Sequence, residues 1–291
     1  MKSRLSIAVV VALCAASSAL AQHRAALPQS LRLYVFDCGT LESADMSRYG
    51  LTERDVETTK MSVSCYLVAH PKGLLMWDVG AVPDTAWTPT GAPVEQHLVL
   101  PGGEMRTVTL TKTLQSELAD IGYAPRDITY LALSHYHWDH TANANEFAGA
   151  TWLARRIERE AMFAAMPPGL TQPASYSALR TSRTKLLGRE DYDVFGDGTV
   201  VMKMAPGHTP GHQVLYVKLA KTGGVLLSGD LYHYPAERAL ARVPTFEFSE
   251  AQTAASRATI DAFLIRTGAQ LWIQHDFAGN AMRRKAPAYY D

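Results

Sequence analysis

The chain has no excess charge of either sign, with 28 Lys and Arg against 28 Asp and Glu. A surface that tracks phosphates needs clustered cations to displace condensed counterions. Nucleic acid is therefore excluded as the expected partner. Beyond residue 21 no apolar run approaches the ~20 residues that a bilayer-crossing helix needs, so no stable membrane anchor is expected there. Short-period repeats, low-complexity tracts and interdomain linkers are also missing. Cysteine is scarce, at 3 residues in 291.

The first residues have the order of a secretory leader. Lys2 and Arg4 form a short basic region, Leu5 to Ala16 is apolar, and Ala19-Leu20-Ala21 offers a small-x-small cleavage site before Gln22. This pattern predicts a signal peptide over 1–21 and a periplasmic or secreted mature chain. Cys14 follows the bulky Leu13, which argues against a lipid-modified cysteine. The mature chain, 22–291, is expected to form one domain, since about 270 residues at 47% hydrophobic can bury a large core. Only Cys38 and Cys65 remain in it. An oxidising compartment would permit a disulfide, but sequence fixes neither their separation nor their direction. They are expected to be two small buried hydrophobes.

Strands are predicted at Leu31 to Phe36, Met61 to Ala69 and Leu74 to Trp77, the last two joined by the turn His70-Pro71-Lys72-Gly73. The polar stretch from Glu42 to Lys60 is too long for a hairpin turn and reads as a flap or contact arm. Val94 to Leu100 and Met105 to Leu110 flank Pro101-Gly102-Gly103, a hairpin signal. Apolar spacing predicts a short helix over Thr113 to Ile121, ended by Gly122. Ile128 to Ser134 is a buried strand running into His135. Leu153 to Met166 reads as helix, and 169–190 as polar surface. Strands return at Val200 to Met204, Gln213 to Leu219, Val225 to Leu227 and Leu271 to Ile273, with an amphipathic helix over 250–267. Two batches of strands, each followed by helices, suggest two sheets packed face to face with helices outside.

Four clusters carry chemistry. In His135-Tyr136-His137-Trp138-Asp139-His140 the alternate residues at a strand end point the same way, so His135 and His137 can share one metal. After the chain turns, Asp139 and His140 can face a second. Pro206-Gly207-His208-Thr209-Pro210-Gly211-His212 places a histidine in a loop built by Gly and Pro. Leu226-Leu227-Ser228-Gly229-Asp230 ends a buried strand with a carboxylate, and Trp272-Ile273-Gln274-His275-Asp276 ends another with a histidine. Each of the last three taken singly could be a turn.

Taken in order, the pattern H-x-H-x-D-H, H, D, H resembles the metallo-β-lactamase superfamily, over about Leu33 to His275. The resemblance implies an α/β fold, an αββα sandwich of two mixed sheets, with two zinc ions between the sheet edges; other divalent transition metals could take their place. By position, His135, His137 and His208 would bind one metal, Asp139, His140 and His275 the other, and Asp230 would bridge them. Asp78, in Trp77-Asp78-Val79-Gly80, matches a strand-end aspartate that supports the site without ligating, and His212 is read the same way. Two cations would lower the pKa of a shared water from about 15.7 to about 7, giving a hydroxide that attacks an ester or amide carbonyl. Asp139 would orient it and pass a proton to the leaving group.

Within that superfamily the chain resembles the N-acyl homoserine lactonases. It shares an opening strand ending Phe36-Asp37-Cys38-Gly39 before a long arm, an insertion near 155–190, and His275-Asp276 near a short tail. The implied function is opening of a lactone ring on a small-molecule substrate, with a homodimer as the candidate assembly. One departure stands out. The lactonases often carry a tyrosine three residues after the bridging aspartate, where its hydroxyl assists the substrate carbonyl. Here His233 holds that place, flanked by Tyr232 and Tyr234, and any of the three could donate that hydrogen bond. Met46, Met162, Phe163 and Met166 are candidate walls for an acyl chain or ordinary packing. The alternatives are a β-lactamase, disfavoured by Asp230 where those enzymes carry Cys or Ser; an aryl-ester or organophosphate hydrolase; and a metal-binding remnant without turnover, disfavoured by the complete ligand set. Glyoxalase II enzymes add a C-terminal helical domain, for which little chain follows His275.

Overall fold

The computed structural model describes residues 25–100 and 103–291. The expected leader, and the turn residues Pro101 and Gly102, lie outside them. Among the described residues no helix is long and apolar enough to cross a membrane.

The strands are β1 Arg32–Glu42, β2 Lys60–His70, β3 Gly73–Trp77, β4 Val94–Val99, β5 Met105–Leu110, β6 Tyr130–Ala132, β7 Thr151–Arg155, β8 Thr184–Leu187, β9 Tyr192–Asp193, β10 Val200–Met204, β11 Gln213–Leu219, β12 Gly223–Leu227, β13 Gln270–Trp272 and β14 Tyr289–Tyr290. One sheet runs β4-β5-β1-β2-β3-β6-β7-β8, with β14 also paired to β1, and the other runs β13-β12-β11-β10-β9. Both are mixed: β3, β6, β7 and β8 run parallel, as do β12 and β13, and the other pairs are antiparallel.

Side chains alternate across a strand, and both faces of the central strands are apolar. Leu33, Val35, Tyr66, Val68, Leu75 and Trp77 meet Val200, Met202, Leu215, Val217, Val225 and Leu227 in a core between the sheets. The alternate residues Phe36, Cys65, Leu67, Leu74 and Met76 face outward, under Leu114 and Leu118 of the helix Leu114–Asp120, Phe147 and Met162. On the far side, Val214 and Leu226 pack against Ile260, Phe263 and Leu264 of the helix Glu250–Thr267. This is the expected αββα layering.

Three local readings differ. β1 continues past Phe36 to Glu42 through a register shift between Asp37 and Thr40. That bulge sets Cys38 beside Cys65, which pairs with Phe36, and the two cysteines are disulfide-bonded with Cα atoms 5.9 Å apart. The expectation of two unbonded hydrophobes is corrected. A bulge is a tertiary feature, and nothing in the local sequence announced it. The helix expected over Leu153 to Met166 is β7 followed by a helix at Arg156–Met162 only. Arg155 is drawn inward to end β7, where Gln213 Oε1 accepts from Nε at 2.8 Å and the Gly188 and Glu190 carbonyls accept from Nη1. The stretch 169–190 is not featureless: it holds a helical turn at Pro173–Tyr176 and β8.

The helix Glu250–Thr267 forms over the expected residues, capped by Ser249 and ended by the left-handed Gly268. Its buried face is apolar only in the second half. In the first half Thr253, Ser256 and Arg257 are the buried residues, and they brace loops: Ser256 Oγ donates to Pro206 O at 2.6 Å and Arg257 Nε to Leu231 O at 2.8 Å.

Candidate metal centre

Parallel neighbours end on the same edge of their sheet, and that is why distant motifs converge. β3 and β6 pair in register Trp77↔Ala132, and β12 and β13 in register Leu227↔Trp272. The residues just beyond these ends are Asp78, Ser134-His135, Ser228-Gly229-Asp230 and Gln274-His275. The β10–β11 connection adds His208 and His212 from the same side. Gln213 N–H donates to Ser134 O at 3.0 Å, tying the two sheets together at this edge.

The structure brings all seven expected ligands together as two buried clusters. His135, His137, His208 and Asp230 form one and Asp139, His140 and His275 the other, with donor atoms in each within 4.8 Å of one another. Asp230 faces both. Its Oδ2 lies 3.6 Å from His135 Nε2 and 3.4 Å from His208 Nε2, and its Oδ1 lies 3.1 Å from both His140 Nε2 and His275 Nε2. Asp139 Oδ2 is 3.6 Å from His275 Nε2 and its Oδ1 3.9 Å from His140 Nε2. His135 Nε2, His140 Nε2 and Asp230 Oδ1 are buried with no hydrogen-bond partner, while His137 Nδ1 and His208 Nε2 converge to 2.9 Å. Orphaned lone pairs aimed at one another are costly unless something electropositive sits among them. The donor set is imidazole and carboxylate, which suits divalent transition metals. These residues fit a dinuclear metal site.

Around the clusters, the far nitrogen of nearly every imidazole is fixed, which sets its tautomer and aim. Asp78, in the left-handed region at φ 55, accepts from His140 Nδ1 at 2.9 Å and Gln274 Nε2 at 2.8 Å through Oδ2, and from Ser134 N at 2.6 Å through Oδ1. His212 is likewise a brace, as read from sequence. Its Nδ1 donates to Ala205 O at 2.9 Å, and its Nε2 accepts the Asp230 N–H at 2.9 Å. Burial pushes the His212 imidazolium down to about 4, beyond what Asp230 restores. His275 Nδ1 donates to Ser62 O at 2.7 Å.

Three carboxylates in this shell were missed by the sequence reading. Glu247 Oε1 accepts from His208 Nδ1 at 2.7 Å. Glu158, buried, gathers Tyr136 N at 2.9 Å, Thr209 Oγ1 at 2.8 Å and Gly211 N at 2.7 Å, clamping the two histidine loops together. Glu237 Oε1 lies 3.2 Å from His233 Nδ1, and its Oε2 accepts from Arg257 Nη2 at 2.7 Å. The one signal available in advance was Glu247 standing alone between Phe246 and Phe248. Changing Glu247→Gln removes the charge behind His208 and keeps its shape. Metal affinity is expected to fall about 10- to 100-fold, read by competition with a chromophoric chelator. Equal affinity in the two proteins would show that His208 is oriented without Glu247.

The segment after Asp230 is resolved into three different roles, which corrects the grouping of Tyr232, His233 and Tyr234 as substrate contacts. Tyr232 is packed beneath the Arg257 guanidinium, 4.2 Å from its ring, within the cluster under the helix Glu250–Thr267. Tyr234 donates its hydroxyl to Thr59 O at 2.9 Å. Only His233 reaches the site, with Nε2 3.2 Å from Asp230 Oδ2. Burial lowers its pKa, but Glu237 and Asp230 outweigh that and raise it to about 10.

A cavity of about 260 Å³ opens above the clusters, and Asp139, Asp230, His137, His233 and His275 form part of its lining. The arm, which holds short helical turns at Met46–Tyr49 and Glu53–Asp55, folds over it and contributes Arg48 and Tyr49. Arg106 lines it too, and the apolar wall includes Leu41, Met61, Met105, Trp138, Leu170 and Phe246. The expected acyl-chain residues do not line it: Met46 and Met162 are core, Phe163 packs on Trp152 and Tyr176, and Met166 is exposed.

Comparison with known proteins agrees with this geometry. The sequence profile described as the Metallo-beta-lactamase superfamily matches residues 58–268. A curated protein named N-acyl homoserine lactonase AttM, from Azorhizobium caulinodans, is 29% identical over 271 residues, covering 90% of this chain and 99% of its own. The AttM protein of Rhizobium johnstonii is 30% identical over 275 residues, covering 89% and 98%. Among solved structures, a mutant of B. thuringiensis AiiA with N-decanoyl-L-homoserine bound at its active site superposes with a TM-score of 0.73, at 24% identity, over 89% of this chain and 98% of that one. The last likeness is one of fold.

Proposed function

The chain belongs to the metallo-β-lactamase superfamily, and from that premise we propose that it is a dinuclear zinc hydrolase that opens the ring of N-acyl homoserine lactones. It is a metal-dependent hydrolase by relationship; the metal, its number and the substrate are the proposal. The observation that carries it is Asp230, whose two oxygens face the two histidine clusters. The two AttM proteins, which match nearly end to end and are both named N-acyl homoserine lactonases, support the choice of substrate.

His135, His137 and His208 would hold one zinc, Asp139, His140 and His275 the other, with Asp230 between. When bound, the metals supply Lewis acidity, which acidifies water and polarises a carbonyl oxygen. The rest is done by the chain. Asp139, at the cavity wall, orients the attacking water, accepts a proton from it at Oδ and passes that proton to the ring oxygen, which departs as the alcohol. The apolar wall of Leu41, Met61, Leu170 and Phe246 receives the acyl chain and excludes water. We also place the mature protein in the periplasm or outside the cell, a location that the Cys38–Cys65 bond supports.

The test is a comparison of kcat/KM on one zinc-loaded preparation, with a medium-chain acyl homoserine lactone and a cephalosporin as substrates. The lactone is expected to win by at least about 100-fold, because Asp139 can protonate the departing ring oxygen and the apolar wall matches an acyl chain. A cephalosporin turned over equally well or better would sink the lactone reading and leave only the hydrolase.

A further inference from the structure

One side chain in the cavity presents a polar group that the network around the metals does not use. Tyr49 comes from the arm, and its backbone is held on three sides. Asp45 Oδ1 accepts from Ser47 N at 3.0 Å, Gly50 closes the turn at φ 67, and Thr245 N–H donates to Arg48 O at 2.7 Å. Its ring is boxed edge-on by His233 at 5.0 Å, Tyr234 at 5.1 Å and Phe246 at 5.4 Å between centroids. The residue is 9% exposed, and the surface left to it lines the same cavity as Asp139, Asp230 and His275. Tyr234, its neighbour, has its hydroxyl committed to Thr59 O. The Tyr49 hydroxyl forms no hydrogen bond with the described residues. His233, by contrast, has both ring nitrogens beside carboxylates, Nε2 3.2 Å from Asp230 and Nδ1 3.2 Å from Glu237.

We propose that Tyr49 is a catalytic residue, its hydroxyl donating a hydrogen bond to the carbonyl oxygen of the ester under attack. The proposal rests on the reading of the site as an ester-opening hydrolase. The phenol keeps its proton throughout, so no bond to it forms or breaks. A donor held rigidly at the cavity wall is worth most where negative charge develops, which is on that oxygen in the transition state. Its contribution should therefore appear in kcat.

Tyr49→Phe keeps the ring and all three edge contacts and removes only the oxygen. With metal-loaded protein and N-hexanoyl homoserine lactone, kcat is expected to fall about 10- to 100-fold while KM moves less than about threefold. Bound metal by elemental analysis and the thermal midpoint should match the parent protein. An unchanged kcat overturns the proposal, as does a loss carried by KM alone or accompanied by loss of metal. If the parent protein fails on the lactone but hydrolyses 4-nitrophenyl acetate, the lactone reading has failed. The same comparison on the aryl ester then still decides the role of Tyr49.

Discussion

Replacing Asp230 by Asn is expected to lower kcat/KM by about 1,000-fold or more and to reduce bound transition metal from about two ions per chain to about one. Each carboxylate oxygen of Asp230 meets a different imidazole pair, with His135 and His208 on one side and His140 and His275 on the other. Asparagine has nearly the same shape but only one acceptor. Its amide nitrogen would present hydrogens to one of those pairs, where a lone pair is required. The negative charge that offsets two cations would also be lost in a buried, poorly screened site. The Asp230 carboxyl already sits well below its usual range: burial pushes it up, but His140 and His275 pull it down further. Elemental analysis of the variant alongside a lactone rate settles the matter. A variant that keeps both metals and near-normal turnover would falsify the bridging role and leave Asp230 a loop residue.

The second large effect comes from the residue before it. Gly229 has φ 50, and a Cβ there would stand 2.7 Å from His212 Nε2 and 2.8 Å from Ser134 Cβ. Neither neighbour can yield. His212 is held at both nitrogens, by Ala205 O and the Asp230 N–H, and the Ser134 backbone is held by Asp78. For Gly229→Ala we expect a loss of about 3 kcal/mol or more, combining about 1–2 kcal/mol for the left-handed backbone with the overlap. In a protein of this size that is a drop of roughly 6–12 °C in the midpoint of thermal unfolding. Activity should fall with it, because relief of the clash displaces Asp230 from between the clusters. Gly196→Ala is the control, at φ 74 with nothing within 4 Å of the added carbon; it carries the backbone cost alone. Should the two variants melt together, the packing argument at Gly229 is wrong.

These two residues show how unevenly the site can be read in advance. Asp230 was legible because strand-end carboxylates and histidines recur in an order that packing alone does not require. Gly229 looked like an ordinary turn glycine. Its constraint comes from His212 and Ser134, which are separated from it by 17 and 95 positions in the chain. The carboxylates behind the ligands were hidden for the same reason. Glu158, Glu237 and Glu247 lie on three separate segments with no shared motif, and they acquire a role only when the helix Glu250–Thr267 and the loops pack.

The sequence by itself determined what depends on local pattern. Apolar runs bounded by turn residues, the hairpin signals and the helical spacing placed most elements, because side-chain direction follows from period and turn conformation. The histidine and aspartate order brought the seven donors onto one list, because a metal site needs those atom types whatever surrounds them. Tertiary structure alone decided which groups touch across long separations. A bulge in β1 brought Cys38 against Cys65, and the arm carried Tyr49 over the cavity. Arg257 drew Tyr232 away from the site, leaving His233 to face Asp230. Each of these depends on how two distant backbones approach within a few ångströms, a quantity set by the packing of whole layers and not encoded in any one segment.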